Sequence, residues 1–258
     1  MITRLGSLTL NLVEEIGNMM LFMVHSAQGL SRTRRRLPRL LRATVELGTR
    51  CLPVILIVGT FTGLVLGLQG YHVLRRFGSE SLLGTLVSLS LVRELGPVLA
   101  ALMLVGQAGS AIAAELGIQR NSEQIAALES MGVHAEGYLV GPRLVGALWV
   151  YPLQTALFVA MGLIGGWLSG TVLLGLESGV YWNSVDRAVS AADWRECLCK
   201  SVTFALICTS ICCHQGYNAH RVSGASGSRA VSTATTRAVV LSCMAILAAD
   251  YLITSLLM

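Results

Sequence analysis

Five long apolar stretches limit what this chain can fold into. Residues 51–74, 144–176 and 201–219 contain no Asp, Glu, Lys or Arg, residues 81–114 contain two adjacent charges, and residues 238–258 contain one aspartate. A helix of about 20 apolar residues crosses the roughly 30 Å hydrocarbon core of a bilayer. Only 13% of the residues are charged, which is about half the share found in soluble domains. The sequence therefore predicts an all-α integral membrane protein with five transmembrane helices.

The N-terminal region predicts another kind of helix. Residues 5–24 are apolar but contain Glu14 and Glu15, a pattern that favours an interfacial helix over a span. An arginine-rich segment follows, and such segments mark the cytoplasmic side. We predict one membrane domain over 1–258, in which 1–45 are the interfacial helix and basic segment and 46–258 the bundle, with the two termini on opposite sides. The arginines are Arg32, Arg34, Arg35, Arg36, Arg39, Arg42 and Arg50.

The connections follow from this topology. Residues 81–114 are too long for one upright span, so we expect tilt, a break near Pro97, or a part that lies outside the hydrocarbon core. Residues 115–143 and 215–237 then lie on the cytoplasmic side. The outer connection 177–200 is predicted to contain a short amphipathic helix around Trp182–Ala192.

Arg93 and Glu94 are the two adjacent charges inside the second stretch. Each costs roughly 2.5–3.5 kcal/mol at bilayer depth on insertion scales. Neighbouring residues on a helix point in different directions, so the two side chains cannot neutralise each other and each needs its own partner. Asp250 is a further intramembrane charge, and it could pair with Arg93, Arg237 or a polar group across the bundle.

Glycines recur at helical spacing in two spans. One row is Gly59, Gly63 and Gly67, and the other is Gly162, Gly166 and Gly170. Small residues spaced in this way let helices approach closely. The rows indicate packing either within the chain or between two subunits.

Cysteine placement gives little evidence of a metal centre. Cys208 and Cys212 lie one helical turn apart with His214 nearby, which would permit a ligand set. Cysteine is nevertheless among the most buried residue types and commonly packs as a small apolar side chain. We predict no metal site.

A short helix is predicted in the connection between the second and third spans. Asn121 could cap it, with Gln124 three residues later, and Gly132 could end it. A helix of about ten residues is marginal alone. It must pack either beneath its own spans or against a cytoplasmic partner.

Motifs for soluble-type chemistry are missing from the sequence. A P-loop needs a glycine six residues before its lysine, whereas the single lysine, Lys200, is preceded by Trp194 at that position. Neither Gly-x-Ser-x-Gly nor His-Glu-x-x-His occurs. Glu94, Asp250 and His72 could form an intramembrane acid–base set, but no nucleophile accompanies them. We predict a non-catalytic chain whose ATP energy, if any, comes from another subunit.

Several long motifs resemble the MlaE family of ABC-transporter permeases. They are GTFTGLVLGLQGY (59–71), LVSLSLVRELGPVLAALMLVGQAGSAIAAELG (86–117), EQIAALESMGV (123–133), the pair Pro142–Arg143, and TTRAVVLSCMAILAADYLITSLLM (235–258). The resemblance covers nearly all of the chain from about Cys51 onward. The related motif GRAGSA has an arginine where this chain has Gln107. If that charge helps to hold the cytoplasmic end of the bundle, Gln107 must do so by hydrogen bonding alone.

The resemblance implies a phospholipid transporter that maintains outer-membrane lipid asymmetry. The permease would be a homodimer in the bacterial inner membrane, with a periplasmic C-terminus. Two ATPase subunits and small STAS-domain subunits would bind on the cytoplasmic side, and a hexameric MCE-domain protein on the periplasmic side. ATP and Mg would belong to the ATPase, with no cofactor in this chain.

The resemblance also assigns two sets of site residues. The short helix would couple the permease to the ATPase, and a lipid pocket would lie between the two copies. Permeation of another hydrophobic small molecule, an intramembrane lipid enzyme and a structural anchor for the ATPase are the alternatives. The coupling residues are Glu123, Gln124, Ile125, Leu128, Glu129, Met131 and Gly132, and the pocket residues are Leu66, Val73, Phe77, Arg93, Glu94 and Leu95.

Overall fold

The computed structural model describes residues 17–23, 37–221 and 227–257, which are helical apart from short turns. Within these described residues, five helices are long and apolar enough to cross a membrane, and they confirm the predicted fold class. We call them the first to fifth spans. They are Leu40–Arg75, Glu80–Asn121, Ala135–Leu173, Ala191–Tyr217 and Ser228–Leu256.

The second span is interrupted twice. Its α-helical parts are Leu83–Ser90, Gly96–Leu104 and Ser110–Asn121, preceded by a 3-10 turn at Glu80–Leu82. Two π-helical turns, Leu91–Leu95 and Val105–Gly109, separate them. The first of these turns directly precedes Gly96 and Pro97, so the break expected near Pro97 is present. Single π-helical turns of this kind often lie at functional sites.

The remaining helices extend the predicted pattern. The first helix runs continuously from Leu37 to Arg75 through Pro53. A short helix, Gln124–Ser130, follows the second span, and we call it the 124–130 helix. After it come the helices Ala135–Leu139 and Gly141–Trp167, a π-helical end at Leu168–Leu173, and the outer helix Ser178–Ala188. The fourth helix, Ala191–Tyr217, is followed by a turn at Ala219–Arg221 and the last helix, Ser228–Leu257.

Several predicted boundaries are wrong, and one of them is the start of the first span, which lies at Leu40 rather than at residue 51. The fourth and fifth helices begin at Ala191 and Ser228, well before the uncharged stretches at 201 and 238. The outer helix lies at Ser178–Ala188, and Ala192 belongs to the fourth span. Charged residues at the start of the fourth helix have partners within the bundle, as described below, so the helix extends through them.

The two glycine rows pack against each other inside one chain. A Cβ built on Gly63 would lie 1.9 Å from the carbonyl oxygen of Gly162, and one on Gly59 would lie 2.9 Å from that of Phe158. Gly166 is similarly closed in, with a virtual Cβ 2.6 Å from the hydroxyl of Tyr181. The first and third spans therefore touch backbone to backbone, and of the two alternatives the structure selects packing within the chain.

The N-terminal prediction is only partly covered. Residues 17–23 are helical, in agreement with an N-terminal helix. The rest of the predicted interfacial helix and the arginines Arg32, Arg34, Arg35 and Arg36 lie outside the described residues. Arg39, Arg42 and Arg50 belong to the first helix.

Candidate functional site

Lys200 is the centre of a charged cluster inside the bundle. Its side chain is 0% exposed, and its ammonium donates to the carbonyl oxygen of Arg93 at 2.7 Å and to Oε1 of Glu94 at 2.9 Å. Lys200 lies about 14 Å along the fourth span from Ala191, at about 1.5 Å per residue. A buried ammonium requires several acceptors, because removing it from water costs several kcal/mol.

Two further carboxylates lie near the same ammonium. Oε1 of Glu196, one turn earlier on the fourth span, and Oδ1 of Asp250, on the fifth span, both lie 3.4 Å from Nζ. Oδ1 of Asp250 is buried and has no hydrogen-bond partner among the described residues, so its attraction to Lys200 is electrostatic. We call Lys200, Glu94, Glu196 and Asp250 the Lys200 cluster. It joins the second, fourth and fifth spans.

The break in the second span supplies one acceptor of this cluster. Proline has no N–H, so Pro97 cannot donate to the carbonyl four residues earlier, which is that of Arg93. Lys200 donates to this carbonyl instead. Gly96 permits the tight backbone, since a Cβ there would lie 2.4 Å from the carbonyl oxygen of Leu91. Gly96 and Pro97 thus leave the carbonyl oxygen of Arg93 available inside the second span, and Lys200 donates to it.

Arg93 has a different partner. Its Nε donates to Oδ1 of Asp193 at 2.7 Å. Oδ2 of Asp193 accepts from the backbone N–H of Ser190 at 2.8 Å, and the backbone N–H of Asp193 donates to the hydroxyl oxygen of Ser190 at 3.4 Å. These reciprocal bonds form a capping box at the start of the fourth span. Arg93 and Glu94 therefore turn to separate partners, as their adjacent positions predicted.

The predicted lipid-pocket residues fall into two groups. The side chains of Arg93 and Glu94 are 45% and 42% exposed, so both ion pairs keep one open side. Val73 and Phe77 are exposed near the end of the first span, with Phe77 at 77%. Leu66 and Leu95 are partly buried and pack against the core. The role of these six residues in lipid binding stays a prediction.

The sequence interpretation did not identify Lys200, Asp193, Glu196 or Thr254 as site residues. The hydroxyl of Thr254 donates to Oε1 of Glu94 at 3.2 Å, and Lys200 is the partner of Asp250 that the sequence left open. One sequence pattern does indicate that Lys200 lies inside the fourth span. Ser190 followed three residues later by Asp193 is a capping pattern, and it places the start of the fourth span before Lys200 rather than after it.

The helix between the second and third spans is shorter than predicted. It covers Gln124–Ser130, and Asn121 ends the preceding helix rather than capping this one. Glu123 takes the position before the helix with a φ of 59°, and Gly132 follows the helix with a φ of 74°. Both turns lie in the left-handed region, which glycine adopts readily and glutamate does not. The helix is thus enclosed between two sharp turns.

One face of this helix packs against the chain's own spans, and the other is exposed, so each of the two predicted alternatives describes one face. Ile125 is fully buried in the chain's own apolar core, and Leu128 packs against it. Glu123, Gln124 and Met131 are exposed. Gln124 and Met131 line an open groove of about 340 Å³ beside the helix Ala135–Leu139. One face therefore packs beneath the spans, and the other is available to a partner.

Gln107 lies in the second π-helical turn. Its side-chain oxygen is buried and has no hydrogen-bond partner among the described residues. At the same end of the bundle, Arg143 donates to Oε2 of Glu115 at 2.9 Å, and Arg50 lies 3.8 Å from Oε1 of Glu115. Ion pairs tie the first, second and third spans here, without Gln107.

The outer helix covers the opposite end of the bundle. Tyr181 is fully buried and donates its hydroxyl to the carbonyl oxygen of Leu163 at 3.1 Å. Burial raises the pKa of this phenol above its ordinary value. Thr85 donates to the carbonyl oxygen of Ser184 at 3.3 Å. Tyr181 stays neutral over the physiological range and fixes the helix to the second and third spans.

Cys208 and Cys212 are buried, and the sulfur of Cys212 lies 3.6 Å from the hydroxyl oxygen of Ser242. Among the described residues, no group of three or more His, Cys, Asp or Glu side chains is placed to hold a metal ion.

Comparison with known proteins agrees with this architecture. The model of the family described as "Permease MlaE" matches residues 40–256. The intermembrane phospholipid transport system permease protein MlaE of Haemophilus influenzae is 36% identical over 257 residues, covering 99% of this chain and 97% of the relative.

Two further relatives widen the range of organisms. A probable ABC transporter permease protein of Rickettsia bellii is 35% identical over 252 residues, covering 98% of this chain and 95% of the relative. The chloroplast protein TRIGALACTOSYLDIACYLGLYCEROL 1 of Arabidopsis thaliana is 31% identical over 208 residues, covering 81% of this chain and 58% of the relative.

Proposed function

This chain belongs to the MlaE permease family, and on that basis we propose that it is the membrane subunit of an ABC-type phospholipid transporter. The observation that carries the proposal is the 36% identity, over 99% of the chain, to a permease whose name specifies intermembrane phospholipid transport. The chain itself is non-catalytic in this proposal, and a partner ATPase binds ATP and Mg. It lies in the bacterial inner membrane with its N-terminus cytoplasmic and its C-terminus periplasmic.

Two surfaces support a multi-subunit assembly. The exposed side of the 124–130 helix, with its adjoining groove, suits docking of an ATPase. Few residues of the fifth span are buried within the single chain, and apolar side chains along the first span are exposed at helical spacing. These faces suit a second copy of the permease as well as lipid tails. STAS-domain subunits on the cytoplasmic side and a hexameric MCE-domain carrier on the periplasmic side complete the proposed complex.

The half-exposed pair Arg93 and Glu94 supports a lipid headgroup site. A guanidinium binds phosphate with strong, charge-assisted hydrogen bonds, and Arg93 uses its Nε for Asp193 while its side chain keeps an exposed part. Exposed Val73 on the first span and exposed Phe77 in the turn after it would contact the acyl chains. The bound molecule would thus meet charge at one end and apolar surface at the other.

The test is lipid transfer by the permease–ATPase complex in nanodiscs, measured with a labelled phospholipid and an acceptor. Glu94→Arg should reduce transfer at least tenfold, because it reverses the charge of the half-exposed side chain beside Arg93. Assembly should survive, since Lys200 keeps Glu196 and Asp250 within 3.4 Å. Glu177→Arg, at an exposed glutamate before the outer helix, is the matched control and should transfer lipid normally.

Mass spectrometry of the purified complex provides an independent readout. Bound phospholipid is the expected result. A different hydrophobic molecule in stoichiometric amount, together with normal lipid transfer by Glu94→Arg, would reject the proposal in favour of a permease for another substrate.

A further inference from the structure

Tyr217 ties three elements together at the end of the fourth span. Its hydroxyl donates to Oε1 of Glu129 at 2.7 Å, in the 124–130 helix. Arg120, near the end of the second span, donates to the same oxygen at 3.3 Å and lies 5.3 Å from the centre of the Tyr217 ring. The phenol and the guanidinium thus hold one carboxylate from two different spans.

The N-terminal helix packs against the same tyrosine through Phe22. The ring centre of Phe22 lies 5.4 Å from that of Tyr217 and 5.6 Å from that of His214. Phe22 is 6% exposed, whereas its neighbours Met20 and Leu21 are more than half exposed. One side chain of this helix is therefore anchored in the bundle while the next faces outward, as expected of an interfacial helix.

The rigid and the loose parts of this region differ clearly. Gly216, next to Tyr217, brings the second and fourth spans together, since a Cβ there would lie 2.7 Å from the carbonyl oxygen of Ala113. The 124–130 helix has seven residues, which is too short to be stable by itself. Its position depends on buried Ile125 and on the contacts of Glu129.

We propose that Tyr217 is a positioning residue that links the N-terminal helix to the 124–130 helix. Phe22 packs on the tyrosine ring and limits its movement, and the ring in turn directs its hydroxyl at Glu129. Release of the N-terminal helix would loosen this hydrogen bond and, through it, the helix that docks the ATPase. The positional link stands on the contacts alone, and only its effect on ATP turnover rests on the proposed function.

Hydrogen exchange on the full chain in nanodiscs tests the link without any ATPase. Tyr217→Phe keeps the ring but removes the hydroxyl, and it should speed exchange of the amides of residues 124–130 roughly 10-fold, because a hydrogen bond to a charged group is lost. Phe22→Ala should speed the same amides by a smaller factor, about 3-fold. Added to Tyr217→Phe, it should have no further effect, because the link it acts through is already absent.

The controls match each change. Tyr251→Phe removes the hydroxyl of an exposed tyrosine on the fifth span, and Leu21→Ala truncates the exposed neighbour of Phe22. Both should leave the amides of residues 124–130 unchanged. Unchanged exchange in Phe22→Ala, or a full additional effect of Phe22→Ala on top of Tyr217→Phe, would overturn the link.

ATP hydrolysis by the permease–ATPase complex separates this inference from the proposed function. Reduced lipid transfer per ATP hydrolysed in Tyr217→Phe and Phe22→Ala, with normal assembly, is expected. Faster amide exchange combined with unchanged coupling would support the positional link and contradict the docking role of the 124–130 helix.

Discussion

The contact between the first and third spans differs in kind from the contact among the second, fourth and fifth. The first is made of glycines and excludes even a methyl group at Gly63. The second is built around the ammonium of Lys200 and three carboxylates, two of which lie 3.4 Å away rather than in close hydrogen bonds. The glycine contact admits one geometry, whereas the Lys200 cluster tolerates exchange of partners. Movement during transport is therefore expected at the cluster and not at the glycine contact.

Gly63→Ala should have the largest effect of the changes that test this comparison. The added methyl would lie 1.9 Å from a backbone carbonyl, which cannot rotate away as a side chain can. Overpacking of this kind costs about 3 kcal/mol, occasionally more, and here it should separate the two spans. Thermal unfolding and the yield of monodisperse protein in detergent measure it.

Gly48→Ala provides the control on the same helix. Among the described residues, the neighbour of a methyl there would be Cγ2 of Val150 at 3.8 Å, an ordinary van der Waals contact. Its stability should equal or slightly exceed that of the parent, because alanine favours helix over glycine. Equal melting temperatures for the two variants would contradict the rigid glycine contact.

Lys200→Met should have the next largest effect. It keeps the length of the stem but leaves Glu94, Glu196 and Asp250 without their shared cation. Removing one partner of a fully buried ion pair costs about 3–5 kcal/mol, and the partial exposure of Glu94 lowers our expectation to about 2–3 kcal/mol. The melting temperature should fall, and lipid transfer should fall with it.

A second substitution distinguishes charge imbalance from lost packing. Asp250→Asn added to Lys200→Met removes one uncompensated carboxylate and should recover part of the melting temperature. Arg187→Met, on the exposed side of the outer helix, removes a positive charge elsewhere and should be neutral. No recovery in the double variant would indicate that the lysine stem matters more than its charge.

The sequence predicted the membrane-embedded helices better than their ends. The long apolar stretches predicted all five spans, because an apolar chain segment that crosses a bilayer must satisfy its own backbone hydrogen bonds, as a helix does. The starts of the fourth and fifth spans were wrong because charge was taken to end a span. Asp193 and Lys200 remain inside the helix since other spans supply their partners, and no local pattern states which spans are neighbours.

The candidate site shows the same limit. Spacing alone predicted that Arg93 and Glu94 need separate partners, and the absent N–H of Pro97 made the carbonyl of Arg93 available. That Lys200 occupies this carbonyl depends on the approach of the fourth span, a tertiary fact. The choice between the two glycine alternatives likewise required the position of Gly162 opposite Gly63.

Substitutions that break the Arg93–Asp193 ion pair should have the smallest effect on stability. They distinguish a structural role of this pair from a role in lipid transfer. Asp193→Ala removes the capping box and should cost about 1–2 kcal/mol, like other N-terminal cap losses. Asp193→Asn can keep one acceptor oxygen for Ser190, but it puts an amide NH2 where Oδ1 accepts from Arg93, so it loses the ion pair. It should cost about 0–1 kcal/mol, because Arg93 is half exposed. Lipid transfer by Asp193→Asn should change more than its melting temperature, because Arg93 loses the partner that orients its exposed side. If transfer and melting temperature instead fall in proportion across both variants, the pair only stabilises the start of the fourth span, and a movable charged region would be confined to Lys200 and its carboxylates.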